Sequence, residues 1–248
     1  LRHNHGDVHI YLISNVRYMK GQEQLMDEGT MFSLEPQPQL GERVYKVLTE
    51  SIVSQMLEPG QHLVIEDLAA RMGTSGTPVR EALNRLQQEG LVSKIPYQGW
   101  RVKQFTTDEI IELYQVRASL EALAVKTCCG QHSEDILRLL MELQTQGIQA
   151  ISRGDLERYR RYNDKFHDGI LQEAGNGTLQ SMMSTLRNRI RLFSETTIRF
   201  PGRPQRAIGE HAALIECIRT GDDARGVALM ERHILSALQD LVDMEGLK

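Results

Sequence analysis

From Gly41 onward apolar residues recur at helical spacing: Val44, Val47, Leu48, Ile52 and Met56, with Ser51 and Gln55 between them, form a largely apolar stripe that Pro59 and Gly60 stop. Ile65, Leu68, Ala69 and Met72 mark a short second helix, and Gly73 is placed to supply the left-handed residue that closes it. A turn through Thr74, Ser75 and Gly76 leads to a third helix. Thr77 is its expected N-cap, Pro78 its first residue, where a missing N–H costs nothing, and Gly90 sits just past its end. Stepping about 100° per residue puts Val79, Ala82, Leu83 and Leu86 on one face and Arg80, Glu81, Asn84, Arg85 and Gln88 on the other. LVSKI and WRVKQ then flank PYQG, which reads as a two-stranded hairpin whose turn contains Gly99. Three short helices plus a β-hairpin make a winged helix-turn-helix, assigned to residues 37–104.

After Val102 the pattern changes. KQFTTDE is a short connection with Thr107 as the expected cap, and almost everything beyond it has helical periodicity. Six helices are predicted, over 107–128, 133–152, 154–174, 177–199, 204–219 and 222–245, separated by Gly130, Gly154, AGNG, PGRP and TGDD. The fold class is therefore mostly α: a winged helix-turn-helix followed by an all-α six-helix bundle over residues 105–248. Residues 1–36 show neither helical periodicity nor the basic start and apolar core of a signal peptide, and are expected to form a flexible tail. His3, His5 and His9 read as an accidental cluster in that tail, and Met31 is a candidate natural start.

Composition narrows the class further. A hydrophobic share of 40% and a charged share of 25% are ordinary for a globular protein, and no apolar run approaches the roughly 20 residues that span a bilayer. Cys128, Cys129 and Cys217 are odd in number and lack CxxC spacing, which fits reduced thiols packed as small hydrophobes in a cytoplasmic protein. Net charge, -4 for the chain, does not by itself argue for nucleic acid, and residues 41–103 hold eight Lys and Arg against seven acids. By periodicity alone the third helix is either a DNA reader or a protein-interaction element with Arg80 as a solvated side chain.

The bundle carries the second group of candidate residues. His167 shares a face with Asn163, Ile170 and Ala174; His211 lies in the stripe Ile208, Ile215, Ile218; His233 lies in the stripe Met230, Ala237, Leu241. A lone histidine on such a face reads as a hydrogen-bonded core residue, whereas imidazoles from three helices of one bundle are how such folds build divalent-metal sites, with a nearby side-chain oxygen completing the set. Arg117 is out of place among Leu113, Leu120 and Ala124, where a charge is costly unless paired. Either it pairs with Glu121 or snorkels to the edge, or it points into a cavity to meet an anion.

The run IEDLAARMGTSGTPVREALNRLQQEGLVSKIPYQGWRV resembles the DNA-binding domain of the GntR family of bacterial transcription regulators. The resemblance implies that Ser75, Thr77 and Arg80 enter the major groove of double-stranded DNA, with Asn84 and Arg85 on the same outer face, while the hairpin tip at Gly99 approaches the minor groove. Gly76 stands where the family usually has an arginine, so Arg80 or Arg85 is expected to carry more of the readout. NDKFHDGILQEAGN, GEHAALIECIRTGD and MERHI resemble the ligand segments of the FCD effector domain of the FadR-type branch. That resemblance implies a divalent cation, of the Zn, Ni or Mn class, held by His167, His211 and His233, with Asn163 at the position of the usual carboxylate. A neutral set should hold the cation more weakly and leave it more electrophilic towards an anionic effector. Asp164, rotated by about 100° from Asn163, is not expected to substitute.

FCD domains often respond to small organic acids, which implies a carboxylic-acid effector bound at Arg117. Six helices rather than seven resemble the VanR-like subgroup. The reading is a cytoplasmic homodimeric regulator, a repressor relieved by its effector, that binds a pseudo-palindromic operator and is not an enzyme. Two alternatives stand beside it. One is a metal-dependent hydrolase, opposed by the lack of an evident Glu or Asp base on the histidine faces. The other is a DNA-binding protein whose metal is purely structural.

Overall fold

The computed structural model describes residues 40–245. Helix α1 (Leu40–Val53) buries Val44, Leu48 and Ile52, but stops short of the predicted stripe's end. Gln55 adopts φ 59, and the Leu57 N–H bonds the Ser51 carbonyl at 2.9 Å, closing the helix. This breaks the 100° step, so Leu57 enters the core while Met56 is 72% exposed. Val47, also in the predicted stripe, is half exposed. Strand β1 (His62–Leu63) and helix α2 (Ile65–Met72) follow, and Gly73 closes α2 at φ 63 as predicted.

Helix α3 (Gly76–Gln88) starts earlier than predicted, with Ser75 rather than Thr77 in the cap position. Pro78 still falls in the first turn, where backbone N–H groups have no partner within the helix. Strands β2 (Val92–Ile95) and β3 (Gly99–Val102) form the wing, and β1 pairs antiparallel with β3, giving the order β1-β3-β2. The wing tip is Pro96–Gln98, not Gly99. Tyr97 sits at its apex, fully exposed at φ 62, and the Gln98 N–H bonds the Ile95 carbonyl at 3.0 Å. Gly99 instead opens β3 at φ 83, where His62 packs so closely that an added Cβ would lie 3.3 Å from its ring. Leu48, Ile52, Leu83, Leu86, Leu91 and Trp100 centre this module's core; a fully buried Leu or Phe side chain contributes about 1.5–3 kcal/mol.

The bundle comprises α4 (Thr107–Gly130), α5 (Glu134–Ser152), α6 (Leu156–Glu173), α7 (Gly177–Ile198), α8 (Arg203–Thr220) and α9 (Asp223–Glu245), each within two residues of its predicted span. The cap of α4 is Thr106, reciprocally bonded with Glu109, rather than Thr107. Helix α4 packs along α9 and α5 along α6. Gly226 permits the first contact: a Cβ there would sit 2.8 Å from Val125. Tyr114, Leu140, Phe166, Ile170, Leu214, Ile218, Met230 and Ile234 fill the interior. The three cysteines are free and buried, and burial pushes the Cys128 thiol up to about 12 and that of Cys129 to about 11, so they behave as hydrophobes. No described helix is long and apolar enough to cross a membrane. The tail with His3, His5, His9 and Met31 lies outside the described residues.

Helix α7 also reaches the winged module. Asn188 donates to the Tyr45 hydroxyl at 2.9 Å and to Glu89 at 2.6 Å, and Arg191 donates to both carboxylate oxygens of Glu50 at 3.0 Å.

Candidate functional site

Two sites emerge. On the winged module Ser75, Thr77, Arg80 and Asn84 are all exposed, because the core face of α3 is taken by Val79, Ala82, Leu83 and Leu86. Arg80 and Asn84 line a cleft with Gly99, Lys94 and His62, between α3 and the wing. Arg85 is not part of it. Its guanidinium stacks 3.5 Å above the Tyr45 ring and donates to Glu42 at 2.7 Å and Glu89 at 3.3 Å, so it is turned towards α1. Arg80 to Asn84 is one helical turn, whereas Arg80 to Arg85 rotates by about 140°. Sequence reading missed Lys94, which projects from β2 beside the cleft, and Tyr97 at the wing's apex.

In the bundle, His167 from α6, His211 from α8 and His233 from α9 converge, fully buried, with one nitrogen of each within 4.8 Å of the others. Their orientation comes from carboxylates on other helices. Glu121 of α4 accepts from His167 Nδ1, and Glu210 of α8 accepts from His233 Nδ1 at 2.6 Å. A carboxylate can only accept, so both Nδ1 atoms carry a proton and both Nε2 atoms point into the cluster. Those Nε2 atoms face each other at 3.3 Å, and His211 Nε2 is buried without any hydrogen-bond partner. Arg203, at the start of α8, lies 3.2 Å from His233 Nδ1 but cannot donate to a protonated nitrogen. Its useful bonds go to the His233 carbonyl at 3.1 Å and to Glu210 at 3.1 Å. Burial, with the neighbouring imidazoles and Arg203 adding to it, pushes His211 and His233 well below the ordinary histidine range and keeps them neutral.

Three imidazoles with converging nitrogens, one of them buried without a partner, fit a divalent cation. Zn–N bonds of about 2.0–2.1 Å in tetrahedral geometry require nitrogens about 3.3 Å apart, which is the His167 to His233 spacing. Asn163 lies one turn before His167, partly exposed, and among the described residues no hydrogen bond ties its side chain.

Beside the histidines a cleft opens between α4, α6 and α7, lined by Arg117, Glu121, Asp164, His167, Arg187 and Arg191 among others. Arg117 is buried and its Nε donates to Glu121 at 2.6 Å, so the ion-pair reading holds; it also lines the cleft. Burial alone would raise the Glu121 carboxyl, but its interactions with His167 and Arg117 outweigh it and hold the group well below the usual carboxylate range. One carboxylate thus orients both the histidine and the arginine. Asp164, set aside on rotation, lines the cleft three residues before His167, although its carboxylate is bonded by Arg160 at 3.1 Å and is not among the converging groups. Glu121, Glu210 and Arg203 are the residues whose roles here periodicity did not show.

Residues 112–236, about half of the chain, match the FCD domain, and residues 40–102 match the bacterial regulatory proteins of the gntR family. The chain belongs to the GntR family, in its FCD branch. Among relatives, this GntR protein is 26% identical over 177 residues to the HTH-type transcriptional regulator YdhC of Bacillus subtilis, covering 71% of this chain and 79% of that one. It is 34% identical over 130 residues to the HTH-type transcriptional regulator McbR of Escherichia coli, covering 52% and 59%. The solved structure of E. coli McbR/YncC superposes with a TM-score of 0.71 at 24% identity, over 84% of this chain and all of that one, a likeness of fold. The GntR family and these relatives are transcriptional regulators, not enzymes, and the hydrolase alternative falls with that. Contrary to the expectation that no acidic base lies there, Glu121 and Glu210 stand at the histidines, but both are engaged in orienting the rings.

Proposed function

We propose that this regulator acts in the cytoplasm as a dimeric repressor. On this reading its affinity for a pseudo-palindromic operator falls when a small carboxylic acid binds in the cleft beside a divalent cation held by His167, His211 and His233. The observation that carries the reading is the double membership of His167, which stands both in the histidine cluster and in the cleft wall with Arg117. Asn163 offers a neutral oxygen as a further ligand. A bound cation would supply positive charge at the cleft's inner end, and Arg117 would pair with the acid's carboxylate, a bidentate geometry that a guanidinium favours.

On the DNA side, Ser75 and Thr77 suit phosphates, Arg80 and Asn84 suit base edges, and the wing beyond Gly99 carries Tyr97 and Lys94 towards the adjacent groove. With Gly76 giving no guanidinium and Arg85 held by α1, readout falls mainly on Arg80. A two-fold dimer would set two α3 helices on successive half-sites. The partly exposed Val116 and Leu123, two turns apart on α4, support a second copy docking on the bundle.

The test is a mobility shift with operator fragments selected from genomic DNA, using zinc-loaded protein and a panel of small mono- and dicarboxylic acids. An acid that weakens the wild-type shift and leaves the Arg117→Ala shift intact is expected. If no acid changes DNA affinity while removing metal lowers the melting temperature, the metal is purely structural and the effector reading is wrong.

A further inference from the structure

Helix α7 is a wall common to the cleft and the winged module. Met183, Arg187, Ile190 and Arg191 line the cleft, and one turn along the same helix Asn188 and Arg191 reach α1 and the end of α3. The arginines of the cleft are not equivalent. Arg117 is held by Glu121 and Arg187 by Asp168 at 2.6 Å, partners that themselves line the cleft. Arg191 borrows its carboxylate from the other module: Glu50 of α1, 3.0 Å away.

The two ends of that pair differ in what release would cost. The Glu50 side chain is 62% exposed and Arg191 21%. Released, Glu50 is solvated at once, whereas Arg191, facing the cleft, needs another anion. Close by, Asn188, Tyr45, Glu89 and Arg85 form a continuous hydrogen-bonded and stacked set that ends on the recognition helix. Only Nη2 of Arg191 holds Glu50. A ligand that takes this group competes with Glu50 and makes Arg191 a two-state contact whose balance both modules affect, which is what coupling between sites requires.

We propose that the cleft takes a small dianion, a straight-chain dicarboxylate, with one carboxylate at the Arg117 and histidine end and the other on Arg191, and that binding exchanges Glu50 for the ligand and loosens α7 from α1. This deepens the effector reading given above and rests on it. A monocarboxylate would fill the inner end and leave the Arg191–Glu50 pair in place, so it would bind without signalling. By reciprocity, operator DNA that favours the paired arrangement weakens dicarboxylate binding by the same factor as the acid weakens DNA binding.

The experiment is calorimetric titration of malonate, succinate, glutarate, adipate and butyrate into the zinc-loaded full chain, in wild type, Glu50→Gln and Arg191→Gln. Glu50 is exposed and Arg191 partly buried in the cleft wall, so melting curves check that the fold is kept. At least one dicarboxylate should bind wild type, bind Glu50→Gln roughly twofold to fivefold tighter because no ion pair has to be broken, and bind Arg191→Gln at least about tenfold weaker. Butyrate should bind all three alike. Dicarboxylates binding all three proteins equally would overturn the exchange and leave the effector reading standing. Butyrate responding to the substitutions as strongly as the dicarboxylates would overturn the requirement for a dianion. If no acid, mono or di, binds any of the proteins, the effector reading itself fails and this inference with it.

Discussion

Arg80 and Arg117 are both helix arginines in candidate sites, and the contrast between them separates the two halves of the molecule. Arg80 is exposed and makes no ion pair among the described residues, so it is available to a partner the chain does not contain. Arg117 is buried, and its charge is met by Glu121, which also orients His167. A surface that reads DNA leaves its polar groups uncommitted, and folding stability is largely indifferent to them. A buried polar site must satisfy its groups first, so its residues serve stability and binding together.

That contrast can be broken most forcefully at Glu121. Glu121→Ala leaves a buried guanidinium without its carboxylate and should destabilise the fold by about 3–5 kcal/mol in urea denaturation. A loss under about 1 kcal/mol would mean that Arg117 reaches solvent and that the buried site is no more committed than α3. Acidification probes the same site more gently. His211 and His233 titrate below their unfolded value, so the unfolded chain binds more protons. Stability is full above about pH 6.5 and falls as pH drops through that value, by up to about 1.4 kcal/mol per pH unit for each histidine. Glu121, held low, adds a further loss below about pH 4.5. Denaturation midpoints measured from pH 7.5 to 5 should slope accordingly, and His211→Ala should flatten the curve.

On the winged module the order reverses, with binding affected and stability spared. Arg80→Ala should weaken operator binding by about 1–3 kcal/mol and leave the melting temperature unchanged. Unaltered affinity would remove α3 from the groove. Arg85→Ala is the smallest effect and the sharpest control, since it lies on the same helix but stacks on Tyr45: stability should fall by up to about 1 kcal/mol, with sequence preference retained. A change of operator preference instead would return Arg85 to the reading edge.

How much could be read from the chain follows the same division. The outer face of α3 was visible because it is local: period, Pro78 and Gly73 place it without reference to any other element. The histidines were visible for a related reason, each falling on the buried stripe of its own helix. Their partners were not. Glu121 and Glu210 reach the rings from different helices or different turns, a relation periodicity does not encode, and Arg203 was hidden in what read as the PGRP turn. Strand β1 is two residues long, too short to alternate visibly. The end of α1 was misplaced because Met56 kept the apolar period while Gln55 had already left the helix.

The central claim is that the convergent imidazoles hold a cation, and metal content measures it most directly. Elemental analysis of the full chain purified without chelator, wild type against His211→Ala, cancels whatever the tail histidines bind. A difference near one divalent metal per chain is the result this account predicts; equal content in the two proteins would contradict it.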